Sequence, residues 1–227
     1  HKYYYVLAIG LNFLVPLALG WLHGDLWGVF LLAGVLRLVV SHHLTFLINS
    51  AAHAFGRQPY SDEHSARDNA LLAFLTYGEG YHNFHHQFAH DFRNGIRWWQ
   101  WDPSKWIICS LSWVGITTKL KRVPDVVIQR ARLDMQFRRV KDALEYKRAS
   151  LPHVDLERIR ASVAHEYEQF TATLAKWSRL TDTWYQKTRE QLVQRWDVAR
   201  FRSETRALVA ELRMQHRRLK RLDAQLA

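Results

Sequence analysis

The sequence predicts an all-α membrane protein with a long helical extension, on three observations. Two apolar stretches near the N-terminus are each long enough to cross a bilayer. Histidines at helical spacing follow a further apolar run, in Gly78–His86 ("GEGYHNFHH"). Beyond Pro124 the chain turns strongly charged, and from Val154 to Leu226 it contains neither Pro nor Gly.

The first stretch is Tyr5–Leu22 ("YVLAIGLNFLVPLALGWL") and the second Leu26–Ile48 ("LWGVFLLAGVLRLVVSHHLTFLI"). Only His23-Gly24-Asp25 separates them, so they are expected to form a tight hairpin. Tyr3–Tyr5 at one end, and Trp21 and Trp27 at the other, match the aromatic belts of membrane–water interfaces. The competing reading is a buried hairpin in a soluble protein, since Asn12 and Pro16 weaken the first stretch. Arg37 falls well inside the second, as either a functional charge or a partner for the neighbouring helix. The turn carries only Asp25, whereas Lys2, Arg57, Arg67, Arg93 and the basic C-terminal half lie on the opposite side. The positive-inside rule then puts the histidines in the cytoplasm.

Farther along, Asp102-Pro103 reads as an N-cap with Pro at the first helical position. The run it opens, "SKWIICSLSWVGI", is too short to span and is expected to lie at the interface. Residues 125–150 read as a charged amphipathic helix that Leu151-Pro152 breaks. Leu156, Val163, Phe170, Trp177 and Trp184 then recur every seven residues, with Ile159, Tyr167 and Leu174 between them. That seam predicts a long helix or a helical hairpin. Its Arg and Lys read as a solvated face or as an attraction to anionic headgroups; no nucleic-acid partner is expected.

The whole chain of 227 residues carries a net charge of +11, ten Trp and one Cys. With Cys109 alone, no internal disulfide forms, and a buried thiol in a reducing compartment is expected. The chain opens on His1 without a signal peptide, which suggests a fragment or a processed chain.

On a helix, residues four apart lie about 40° from each other, so His82 and His86 point nearly the same way. His85 points about 100° away from His86. One helix thus offers two ligands to one metal and a third to a neighbouring metal. Asn49 and His53 ("NSAAH") form another such pair at the end of the second stretch. Imidazoles suit iron, copper or zinc. Neither a Glu-x-x-His pair nor a His-Glu-x-x-His helix is present, which argues against soluble di-iron carboxylate proteins and zinc proteases. Histidines serving as polar caps at the interface are the alternative.

Three segments in order, "NSAAHAFGRQPY", "GEGYHNFHH" and "DFRNGIRWWQWDPSKW", closely resemble the integral-membrane acyl-CoA (stearoyl-CoA type) Δ9 fatty-acid desaturases, the bacterial members most nearly. The resemblance runs from about His1 to Pro124 and leaves the extension, 125–227, outside it. It implies two irons held by nine histidines and, through water, one asparagine. The matching positions are His53, His82, His85, His86 and Asn49, with His53, His82 and His86 on one iron and His85 on the other. It implies a cis Δ9 double bond made in a saturated acyl chain, carried on CoA or lipid, with O2 and two electrons from a cytochrome or ferredoxin. Thr45 and Phe46 match a Thr-Trp pair at the bend of the family's acyl tunnel; the smaller Phe46 puts chain-length preference in doubt. His42, within about 20° of the Asn49/His53 face, and Glu79 are candidates to support the ligands from behind. The family has Pro where Ala89 stands. Its first two histidine boxes, with the other five ligands, are expected upstream of His1, so this chain alone is expected to be inactive. A related histidine-rich membrane hydroxylase, or a non-catalytic membrane-anchored helical scaffold, are the alternatives.

Overall fold

A computed structural model describes residues 3–146, 153–190 and 194–226. They are helical, with two isolated β-bridges and no strand among them. Helix α1 (Tyr4–His23) and helix α2 (Leu26–Ala54) form the expected hairpin. Gly24 closes α1 with a left-handed φ of 85°. Asp25 then caps α2 by accepting from Gly28 N at 2.8 Å. Gly20 packs against the turn, where a Cβ would meet Leu26 O at 2.8 Å. Pro16 has no N–H for the carbonyl four residues back, and just before it α1 widens into a π-turn at Gly10–Leu14.

Both helices are long and apolar enough to cross a membrane, yet only 11% and 6% of their most apolar windows is buried. Apolar surface left this open suits a bilayer better than the interior of a soluble hairpin. Arg37 reaches across the hairpin to Asn12 Oδ1 and donates to Ala33 O at 2.9 Å. Asn12 in turn donates to Ala8 O at 2.6 Å. The intramembrane charge therefore pairs with the neighbouring helix, and its partner is a neutral amide.

A compact layer follows: a loop from Phe55 to Asn69, α3 (Ala70–Leu75), α4 (His82–Gln87), a loop to Asp102, and α5 (Pro103–Trp113). Asn69 caps α3 through Leu71 N at 3.0 Å and Leu72 N at 3.2 Å. Asp102 caps α5 as expected. The outer side of α5 and its surroundings leaves Ile107, Trp113, Val114 and Ile116 exposed, in keeping with an interfacial helix. Cys109 is free but only half-buried, not enclosed as expected.

Gly80 shows why "GEG" precedes the histidines. A Cβ at Gly80 would collide with the backbone of Leu72 and Ala73. Backbone cannot retreat as a flexible side chain can, so Gly80→Ala is expected to destabilise the chain by about 3 kcal/mol or more. Urea unfolding followed by circular dichroism measures it, with Gly10→Ala, which meets nothing within 4 Å, as the control.

The extension consists of α6 (Asp125–Tyr146), α7 (His153–Arg189) and α8 (Arg195–Leu226). Helices α7 and α8 pack against each other, so the seam belongs to a helical hairpin. Phe137, Val140, Leu156, Phe170, Leu212 and Leu219 fill the core among the three helices. Ile159, Val163, Leu174 and Trp177 pack against it, and Trp184 stacks on Phe201 at 4.5 Å. Tyr167 stays half exposed at the seam's edge. Lys187 of α7 meets Asp197 of α8 at 2.7 Å. Positions 147–150, and the break at Leu151-Pro152, lie outside the described residues.

Helix α6 also packs on the histidine layer. Ile128 is buried with Tyr60, Phe84 and Phe88. Arg132 donates to Tyr60 Oη at 2.7 Å, Arg138 pairs with Asp62 at 2.6 Å, and Arg139 donates to Gln58 O at 2.6 Å.

Candidate metal centre

The six residues of α4 carry all three histidines of the "HNFHH" run. Asp68 Oδ1 accepts from Asn83 N at 2.9 Å and Phe84 N at 3.1 Å, meeting the open donors of the first turn. Burial lifts the Asp68 carboxyl to about 6 against the opposing effect of those N–H bonds. Asn83 is wholly buried; it accepts from Tyr60 N at 2.9 Å and donates to Ser61 O at 2.7 Å and Ala66 O at 2.9 Å. That lashes α4 to the loop after His53, and Phe84 anchors its inner face.

The result is a convergence of imidazoles. His82 Nε2 lies 3.1 Å from His53 Nε2 and 3.1 Å from His86 Nε2. Ligand atoms of all three lie within 4.8 Å of one another. Two imidazole nitrogens about 2.1 Å from one cation, at roughly a right angle, stand about 3 Å apart. The spacing therefore fits a shared metal. Hydrogen bonding alone does not satisfy it: His82 Nε2 holds one proton or one lone pair, and it has two nitrogen neighbours. Burial, and then the imidazoles of His86 and His53, push His82 down to about 4. His82 is thus neutral near pH 7, the form that lends a lone pair to a metal.

The predicted His82/His86 alignment matches this geometry. His85 diverges as expected, its ring 6.1 Å from that of His82 and outside the group of three. The Asn49/His53 pair does not share one unbroken helical turn: the backbone departs from helical geometry at Ser50, with φ −119° and ψ −71°. Asn49 is exposed and makes no hydrogen bond to the three histidines. His42 is exposed on α2. Thr45 Oγ1 donates to Ser41 O at 2.9 Å, and Phe46 is 65% exposed. Glu79 accepts from Asn94 Nδ2 at 2.9 Å.

Two residues enter the site that sequence reasoning missed. Ser65 Oγ lies 2.9 Å from His53 Nδ1. With Nδ1–H donating there, the His53 Nε2 lone pair faces the other imidazoles. His64 brings its ring 5.0 Å from that of His86, and both its ring nitrogens are buried without a partner. Both lie in "SDEHSARD", a loop with no periodicity to point to them. Ser65→Ala is expected to weaken metal binding about tenfold to a hundredfold while leaving the fold intact, as read by Co2+ titration of the purified chain.

No family model matches the chain. It is 40% identical over 141 residues to acyl-CoA desaturase 1 of Saccharomyces cerevisiae, which covers 62% of this chain and 28% of that protein. It is 44% identical over 131 residues to the probable acyl-CoA desaturase of Schizosaccharomyces pombe, covering 57% and 27%. With human stearoyl-CoA desaturase 5 the figures are 36% over 130 residues, covering 56% and 39%. The chain thus spans well under half the length of these relatives. Across somewhat more than half of its own length, this chain is homologous to the acyl-CoA desaturases.

Proposed function

We propose that the chain is the C-terminal part of a membrane di-iron acyl desaturase that places a cis Δ9 double bond in saturated acyl chains. The three-imidazole cluster of His53, His82 and His86 carries the reading, in a chain homologous to acyl-CoA desaturases. Residues 1–124 form the desaturase part, and 125–227 a helical extension docked on it. His53, His82 and His86 would hold one iron and His85 the other, with Asn49 contributing through water. Bound iron supplies the oxidant, made from O2 and two donor electrons, that removes hydrogen from an unactivated CH2.

The chain's own residues prepare that reaction. Ser65 fixes the His53 ring, and Asp68 and Asn83 fix the helix bearing the other ligands. Thr45 and Phe46 on α2 would contact the acyl chain, which the membrane helices keep from water. A cytochrome or ferredoxin supplies the electrons. The excess of Arg and Lys beyond α2 supports, by the positive-inside rule, a reading in which the histidines and the extension face the cytoplasm of a bacterial inner membrane.

The test expresses the full-length gene and its His85→Ala variant and locates double bonds in the extracted fatty acids. New Δ9-monounsaturated chains, lost in the variant, are expected. Hydroxylated chains would make the protein a hydroxylase. Unchanged lipids, in cells that support a control desaturase, would leave the histidines structural.

A further inference from the structure

The extension and the histidine layer flank an open cleft of about 850 Å³ between α6, α8, the loop around Arg57 and the Arg93–Trp99 loop. It contains none of the clustered histidines. Arg57, Arg97, Arg132, Arg139, Arg217 and Lys220 line it, and none has a carboxylate within ion-pair distance among the described residues. The other two cations on the wall are compensated: Arg93 pairs with Asp91 at 2.6 Å and Arg213 faces Asp125 at 4.0 Å.

Several of these charges are held in place without being neutralised. Arg132 is fixed by the Tyr60 hydroxyl and ring, Arg139 by Gln58 O, and Arg97 lies over the Trp99 indole at 5.4 Å. His216 senses the resulting field: burial, then Lys220, Arg132 and Arg139, push it down to about 4. Its Nδ1 is buried without a partner. Like charges gathered in one concavity repel one another, and a concave low-dielectric wall concentrates their field. A ligand with several negative charges in a small volume relieves that repulsion.

We propose that this cleft binds a polyphosphate group, borne by a free nucleotide or by a phosphorylated lipid headgroup. Guanidinium forks match phosphate oxygens in pairs. The volume falls in the range of about 300–1,000 Å³ typical of small-molecule sites. Trp98, on the same wall and largely exposed, supplies aromatic surface of the kind a base stacks on.

Calorimetric titration of the detergent-purified chain with tripolyphosphate, ATP and inositol 1,4,5-trisphosphate tests this, with no metal required. Binding of at least one probe is expected. It should weaken at least tenfold in Arg217→Glu/Lys220→Glu and in the milder Arg217→Gln/Lys220→Gln, both at exposed positions on α8. Arg206→Glu, exposed on the same helix and off the cleft wall, should leave binding unchanged. Tightest binding of ATP supports a nucleotide, and tightest binding of the inositol phosphate a lipid headgroup. No binding of any probe, or equal weakening by Arg206→Glu, overturns the proposal.

Discussion

Replacing His82 by alanine in the full-length protein is expected to strip the iron it would hold and to lower desaturation more than a hundredfold. The reason is position. His82 Nε2 lies 3.1 Å from a ring nitrogen of each of the other two members of the cluster. It is also the buried one, whereas His53 is half-buried and His86 exposed. Without it the remaining pair has lost its inner ligand and opens to solvent, and outer-shell losses alone already weaken metal sites about tenfold to a hundredfold. Metal analysis of the purified variant and fatty-acid analysis of the cells measure both effects. Stability separates this from a purely structural role. In the metal-free chain the His82 ring has polar contacts only within the cluster: Nδ1 is buried with no partner, and Nε2 meets His53 and His86. A variant that keeps its metal but melts several degrees lower would show that the histidines only cap the interface.

Asp102→Ala is expected to cause the largest loss of stability in the histidine layer, about 4 kcal/mol. Asp102 is completely buried. It accepts from Asn94 N and Gly95 N at 2.8 Å and from Lys105 N at 2.9 Å. Buried bonds to a charged group contribute roughly 1.5–3 kcal/mol each, and the loss of one group removes all three together. Lys105, itself buried, is then left with carbonyls of Gly95, Arg97 and Gln100 and no nearby anion. The damage reaches the metal site. Gly78, at φ 106°, lies so close to Asp102 that a Cβ would meet its Oδ1 at 2.9 Å. Co2+ binding should therefore weaken along with the fold. Denaturant unfolding of wild type, Asp102→Asn and Asp102→Ala measures it. Asparagine keeps an acceptor but not the charge, so it should fall between the two. A loss below about 1 kcal/mol for alanine would show that the layer stands without this knot.

Much of the architecture was legible because it follows local rules. Asp102 announces a helix start, since a side-chain oxygen beside open N–H groups acts over three residues. The two apolar stretches announce the hairpin by length, and Gly24 marks its turn by accepting a positive φ. The divergence of His85 from His82 and His86 follows from 3.6 residues per turn. The seam from Leu156 to Trp177 likewise reads directly as a buried face.

Long-range packing decided the rest. Nothing in the spacing of Asn49 and His53 foretold the departure at Ser50, because periodicity assumes an unbroken helix. Ser65 and His64 reach the metal site through the Asn83 and Asp68 bonds that fold their loop over α4, contacts between residues 15 to 23 apart in the chain. The charged tail looked like a solvated face; only the docking of α6 and α8 against the Arg93–Trp99 loop gathers its arginines around one cleft. The sequence by itself determined which segments are helical, which of them suit a membrane, and which histidines point together. The tertiary structure decided which side chains support the metal site and where the positive charge converges, because such contacts join residues far apart in the chain, beyond the reach of any local period.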